Sequence, residues 1–161
     1  MKNMNVLAKA ITLGIILSTP VLTHAESSIV NTDKTFVGDT TYDVSYQSGK
    51  KYVVNMDDGK EHTISVEQGK LTIVGNPQSG SPAVIVSNNS ILNLKGTTTI
   101  TNKRVGAQGA KIKNATLNIE DLTLNSSQDG LKINSGAING ANLNINVNDE
   151  KKNQLCGIEA S

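Results

Sequence analysis

Side chains able to do acid–base or nucleophilic chemistry are few and scattered in this 161-residue chain. It holds two histidines, His24 and His62, and one cysteine, Cys156. Its acids include Asp57-Asp58, Glu120-Asp121, Asp129 and Asp149-Glu150. A serine or cysteine nucleophile assisted by histidine would depend on His62, because His24 lies in a segment expected to be removed. His62 sits beside a strand far along the chain from Cys156, so the pattern predicts a solvated strand-edge histidine. The lone cysteine excludes an intramolecular disulfide and reads as a small buried apolar residue. Hydrolysis of a glycosidic bond needs two carboxyls flanking it, and adjacent acids on a strand point to opposite faces. No histidine, cysteine and carboxylate set has metal-ligand spacing. The expectation is a non-enzymatic chain with no metal and no cofactor.

Basic residues suggest binding instead. Lys111, Lys113 and Lys132 fall on outward positions of short strands, with Lys103-Arg104 in a preceding turn. Lysines stacked about 5 Å apart on neighbouring strands repel one another and could mark a patch for an anionic partner, or else splay as a solvated face. The whole chain has a formal charge of +1, and losing Lys2 and Lys9 with residues 1–25 turns it to −1. There is then no global basic field to recruit nucleic acid.

The elements that position these residues are short strands. Leu71/Ile73, Leu92/Leu94, Leu117/Ile119 and Leu143/Ile145 recur every 21 to 26 residues. Each pair puts two aliphatics on one face and a small polar residue, Thr72, Asn93, Asn118 or Asn144, on the other. A second series runs Ile64/Val66, Val84/Val86, Ala110/Ile112, Leu131/Ile133 and Ile158/Ala160. A third, weaker series runs Thr98/Ile100 and Leu122/Leu124, with Val147 as its later member. Between them lie turns at Glu67–Lys70, Asn88–Ser90, Asn114-Ala115 and Ser135-Gly136, where Gly and Asn suit sharp bends. Strands returning every 20-odd residues describe a stacked array in which no rung can bury its face alone. The unequal steps favour turns of varied length on a constant frame, so the fold class predicted is all-β: a right-handed parallel β-helix (β-solenoid) with an N-terminal β cap. A leucine-rich repeat is disfavoured because residues 125–142 lack a helical period. Calcium-binding nonapeptides are disfavoured by the absence of Gly-Gly-x-Gly-x-Asp.

Three regions follow. Residues 1–25 read as a signal peptide: Lys2 and Lys9, an apolar stretch over Ala10–Leu17, Pro20, and small Thr23 and Ala25 before a cut at Ala25/Glu26. The apolar stretch is too short for a membrane span. Residues 26–60 contain every aromatic (Phe36, Tyr42, Tyr46 and Tyr52) and an Asp58-Gly59 hairpin signal, and are expected to cap the first rung. Residues 61–161 are the β-helix rungs, and the sequence stops as a new rung begins at Ile158, which predicts a truncated front portion of a longer protein.

A signal peptide, a cap and Asn/Thr/Gly-rich rungs such as Gly130-Leu131-Lys132-Ile133 and Ala141-Asn142-Leu143-Asn144-Ile145 together resemble the start of an autotransporter passenger domain. The resemblance covers residues 26–161 and rests on repeat style. It implies a secreted or cell-surface β-helix of a Gram-negative bacterium, exported by the general machinery and then carried out by a C-terminal outer-membrane barrel. That barrel is missing, since no region shows its serial ten-residue strands; without it the destination is the periplasm. The functional expectation is a non-enzymatic adhesin, stalk or interaction surface for a polysaccharide or host-surface protein. The alternative is a fragment of a secreted β-helical polysaccharide hydrolase or lyase.

Overall fold

The computed structural model describes residues 30–43, 52–75, 80–102, 104, 107–127, 129–148 and 157–161. Within them lie eleven strands and no helix, so among the described residues none is long and apolar enough to cross a membrane. All strand pairs are parallel, and they form two sheets. One sheet stacks the short strands β3 (Val54–Met56), β5 (Val84–Ser87), β7 (Ala110–Lys113), β9 (Leu131–Asn134) and β11 (Ile158–Ala160) in chain order. The other stacks long strands: β4 (Glu61–Val74), β6 (Ile91–Asn102), β8 (Thr116–Ser126) and β10 (Ala137–Val147). Its end is formed by β1 (Lys34–Val37) and β2 (Thr40–Asp43), which lie side by side on β4. From β3 onward short and long strands alternate along the chain, which is the coiling of a β-solenoid.

Local chemistry explains the bends. Between a short strand and the next long one the chain turns at left-handed residues: Gly59 (φ 75), Asn88 and Asn89 (φ 57 and 61), Asn114 (φ 48) and Ser135 (φ 52). Asn and Gly are the residues that enter this region most cheaply, and the corners bond to one another, as where Asn89 N donates to Asn114 O at 2.6 Å. Two of the long strands also shift register near the middle, between Ser65 and Lys70 in β4 and between Leu94 and Thr97 in β6. Gly96 sits at that bend with φ 82, and a Cβ there would lie 2.6 Å from the Val66 carbonyl oxygen. The Glu67–Lys70 turn expected from sequence is therefore a bend inside β4.

The core lies between the sheets as columns of aliphatics, each residue packed on its register partner in the next coil. One column is Ile64, Leu94 and Ile119; a second is Tyr42, Ile73, Ile100, Leu124 and Ile145; the short sheet contributes Val54, Val84, Ala110 and Leu131. Leu92, Leu117, Leu122 and Leu124 are fully buried, and each such side chain stabilises by about 1.5–3 kcal/mol relative to exposure. Toward β10 the columns thin out, with Ile138, Leu143 and Ile145 only partly buried.

The alternation of inward and outward residues agrees with the sequence reading, but the stacking of the pairs differs. Leu71/Ile73 stack on Thr98/Ile100, Leu122/Leu124 and Leu143/Ile145, whereas Leu92/Leu94 stack on Ile64 and on Leu117/Ile119. The supposed single Leu-x-Ile series is thus two columns on either side of the strand bend. Ile64/Val66 leave the short-sheet series, and Val54/Met56 take their place. Val147 pairs with Ser126, so the later member of the third series is Leu143/Ile145. The Asp58-Gly59 turn joins strands of different sheets and forms no hairpin. Strands β1, β2 and β3 of residues 26–60 continue the parallel columns of the rungs, with Phe36 and Tyr42 edge to face at 5.2 Å.

Candidate functional site

The outer face of the short sheet carries the predicted lysines. Register places Asn55, Ile85, Lys111, Lys132 and Glu159 in one column, and Ser87, Lys113 and Asn134 in the next. Lys111 and Lys132 are therefore neighbours, as expected, while Lys113 stands exposed beside them. The column is not purely basic. Lys132 Nζ lies 2.5 Å from Glu159 Oε1, an ion pair formed by a residue whose role the sequence reading missed. Placing Ile158/Ala160 over Leu131/Ile133 was enough to find it, since the residue between each pair must then share a column. The Lys132 hydrogen bond holds the Glu159 carboxyl below its ordinary range, against partial desolvation and with help from Asp129 and Lys111. One of the three lysines is thus neutralised, and a patch that would pull on an anionic partner is weaker than three free cations.

Asp129 itself is buried just before β9, where Gln108 Nε2 reaches its Oδ2 at 3.4 Å and Ser126 Oγ donates to its carbonyl oxygen at 3.0 Å. Nearby, buried Asn102 donates to the carbonyls of Ser81 (3.0 Å) and Gln108 (2.9 Å). These bonds satisfy polar groups where the chain leaves the long sheet, which a buried corner requires. Glu120 accepts from Gly96 N at 2.7 Å and Asp121 from Thr97 Oγ1 at 3.2 Å. Both acids serve the strand bend.

His62 departs from the expectation of a solvated strand-edge residue. Its side chain is only 11% exposed, and it is held between Asp58 Oδ1 at 2.9 Å from Nε2 and Asp33 Oδ1 at 3.4 Å from Nδ1. The His62 hydrogen bond is also the main cause that draws the Asp58 carboxyl below its ordinary range. Asp33 further accepts from Thr63 N at 2.8 Å, so the cluster ties the layer of β1 to β4. The two carboxylates meet opposite edges of the ring and cannot converge on one ion. Among the described residues no three His, Cys, Asp or Glu side chains are grouped to hold a metal.

The outer face of the long sheet is a field of small polar side chains. Asn118 Nδ2 donates to Asn93 Oδ1 at 2.8 Å, and Asn139 Nδ2 donates to Asn118 Oδ1 at 3.0 Å. A parallel ladder joins Thr101, Asn125 and Asn146, the last pair at 2.9 Å. The sequence reading put Thr72, Asn93, Asn118 and Asn144 in one outward ladder; register divides them, with Thr72 and Asn144 beyond the bend in a column with Thr99 and Thr123. A shallow open groove of about 400 Å³ follows the left-handed corner, lined by residues such as Asn89, Asn114, Thr116 and Ser135, with no titratable group. Ala25, Glu26, Lys103, Cys156, Tyr46 and Asp149-Glu150 lie outside the described residues.

Comparison with protein-family models, with curated proteins and with solved structures found no match.

Proposed function

We propose that the chain is an exported, cell-surface or secreted, right-handed β-helical passenger that acts as a non-enzymatic adhesin, stalk or interaction surface. The observation that carries this reading is the pair of long outward faces. Inside, aliphatics stack from coil to coil; outside, the columns present Asn, Thr and Lys, and the groove at the left-handed corner is shallow and open. Such a body offers repeated weak contacts over a length rather than one concave pocket. The aromatic pair Phe36 and Tyr42 at the end of the long sheet suits a cap that is itself built as a rung. Export rests on the sequence of residues 1–25, and surface display on the autotransporter resemblance. A polysaccharide hydrolase or lyase would need facing carboxyls spaced to flank a glycosidic bond, about 5 Å apart or more. Asp129 is instead buried and engaged by Gln108, and Glu159 is paired with Lys132.

The test is expression in a Gram-negative host with its own leader, followed by fractionation and mass spectrometry of the exported product. The reading requires a chain starting at Glu26 in the periplasm or beyond. Cytoplasmic retention of a product that still carries residues 1–25 would overturn it.

A further inference from the structure

We propose that the half of the long sheet beyond the strand bend is a docking face for a neutral, repeating polysaccharide, a proposal that rests on the interaction-surface reading above. In this half, register runs unbroken through four strands: Leu71–Val74 on Thr98–Thr101, on Leu122–Asn125, on Leu143–Asn146. Within these four strands alternate residues point outward, giving one column of Thr72, Thr99, Thr123 and Asn144 and a second of Val74, Thr101, Asn125 and Asn146. None of these eight is charged. Among these four strands the nearest charges stand at the bend, at Lys70, Lys95, Glu120 and Asp121, and Asp43 of β2 sets one carboxylate at the end of the second column, beside Val74.

The two columns differ in what their polar groups already do. Thr101, Asn125 and Asn146 bond to one another and so spend much of their capacity inside the protein. The side chains of Thr72, Thr99, Thr123 and Asn144 make no hydrogen bond to any described residue. Every hydroxyl in that column is a donor and an acceptor, as is every hydroxyl of a sugar. Strand spacing sets them about 4.8 Å apart along the coil axis, and alternate residues set the two columns about 6.6 Å apart. The result is a two-dimensional lattice of neutral groups.

Charge decides the class of partner. A polyanion would meet no cation on this face and would have to give up water without a counter-charge. A neutral polyol exchanges hydrogen bonds with water for hydrogen bonds of similar strength, at little cost in desolvation. Each contact is weak, so affinity depends on a polymer whose units recur and engage several columns together. The lysines of the short sheet lie on another face and take no part.

The 161-residue chain is tested for retention on cellulose, mannan and chitin particles and on heparin beads, at low and high salt. Retention on at least one neutral polymer, unchanged by salt, is the expected result. The double variant Thr99→Val/Thr123→Val keeps shape and β propensity while removing two hydroxyls, and should bind about tenfold more weakly, as loss of two modest hydrogen bonds implies. Lys111→Ala/Lys113→Ala should bind as the parent does. Circular dichroism and urea midpoints confirm that both variants fold. Retention on no neutral polymer, or retention that survives the valine pair, overturns the proposal. Salt-reversible binding to heparin alone, lost in the lysine variant, would overturn this face while leaving the interaction-surface reading intact; no retention on any polymer would count against both.

Discussion

Replacing Asn118 with alanine tests whether the outward ladders hold the coils together. Asn118 is the middle member, donating to Asn93 at 2.8 Å and accepting from Asn139 at 3.0 Å. Its neighbour Asn93 also donates to Glu61 Oε1 at 2.8 Å, so the ladder spans four coils. A net intramolecular hydrogen bond contributes about 0.5–1.5 kcal/mol, and the half-exposed position lets water replace part of what is lost. Two bonds at the low end of that range give a cost of about 1–2 kcal/mol, above the near-neutral value expected of an outward residue with no partner. Asn118→Asp should cost more than Asn118→Ala, because it removes the donor and sets a carboxylate against the Asn93 oxygen. The assay is urea unfolding, in which the midpoint falls while the slope stays constant. Two results would refute the reasoning: Asn118→Ala within about 0.3 kcal/mol of the parent, or Asn118→Asp as stable as the parent at neutral pH.

Leu117→Ala, at a fully buried site between Leu92 and Ile138, should destabilise by about 2–5 kcal/mol; a loss under 1 kcal/mol by the same unfolding assay would place it outside the core. Gly96→Ala should cost more than about 1 kcal/mol, because alanine is strained at φ 82 and its Cβ meets the Val66 carbonyl, and thermal melts of the variant should show it. The Lys132–Glu159 pair has an acid signature. Because the folded carboxyl is held below its ordinary range, its contribution is present above the unfolded value of about 4.3 and is lost as pH falls through the lower folded value. Urea midpoints measured across that interval should fall more steeply for the parent than for Glu159→Gln, and equal slopes would dismiss the pair.

Much of the fold was legible because strands alternate faithfully. Leu117, Asn118 and Ile119 announce their inward and outward directions, and the corners at Asn88, Asn114 and Ser135 announce the left-handed turns. Stacking was harder to read, since β4 and β8 each carry two aliphatic pairs with the same i, i+2 spacing. Leu71 and Leu92 look equivalent in sequence although the bend at Gly96 separates their columns. Buried Thr98 hides one column member behind a polar residue type, and Val54 opens the short sheet inside a stretch that reads as cap. The His62 cluster was illegible for another reason. Asp33 reaches His62 only because β1 lies beside β4, and no local signal in the Asp33 segment indicates that pairing.

The register of the coils places every face discussed above, and paired cysteines test it directly. Parallel register partners lie about 4.8 Å apart, within disulfide reach. In a chain carrying Cys156→Ser, Thr99→Cys/Thr123→Cys should oxidise to an intramolecular disulfide, as should Thr72→Cys/Thr99→Cys. Thr72→Cys/Asn93→Cys and Asn118→Cys/Asn144→Cys, which align the Leu-x-Ile pairs in a single column, should remain reduced under the same conditions. Efficient linking of the second set and not the first would contradict the structure of the long sheet and dissolve the uncharged face with it.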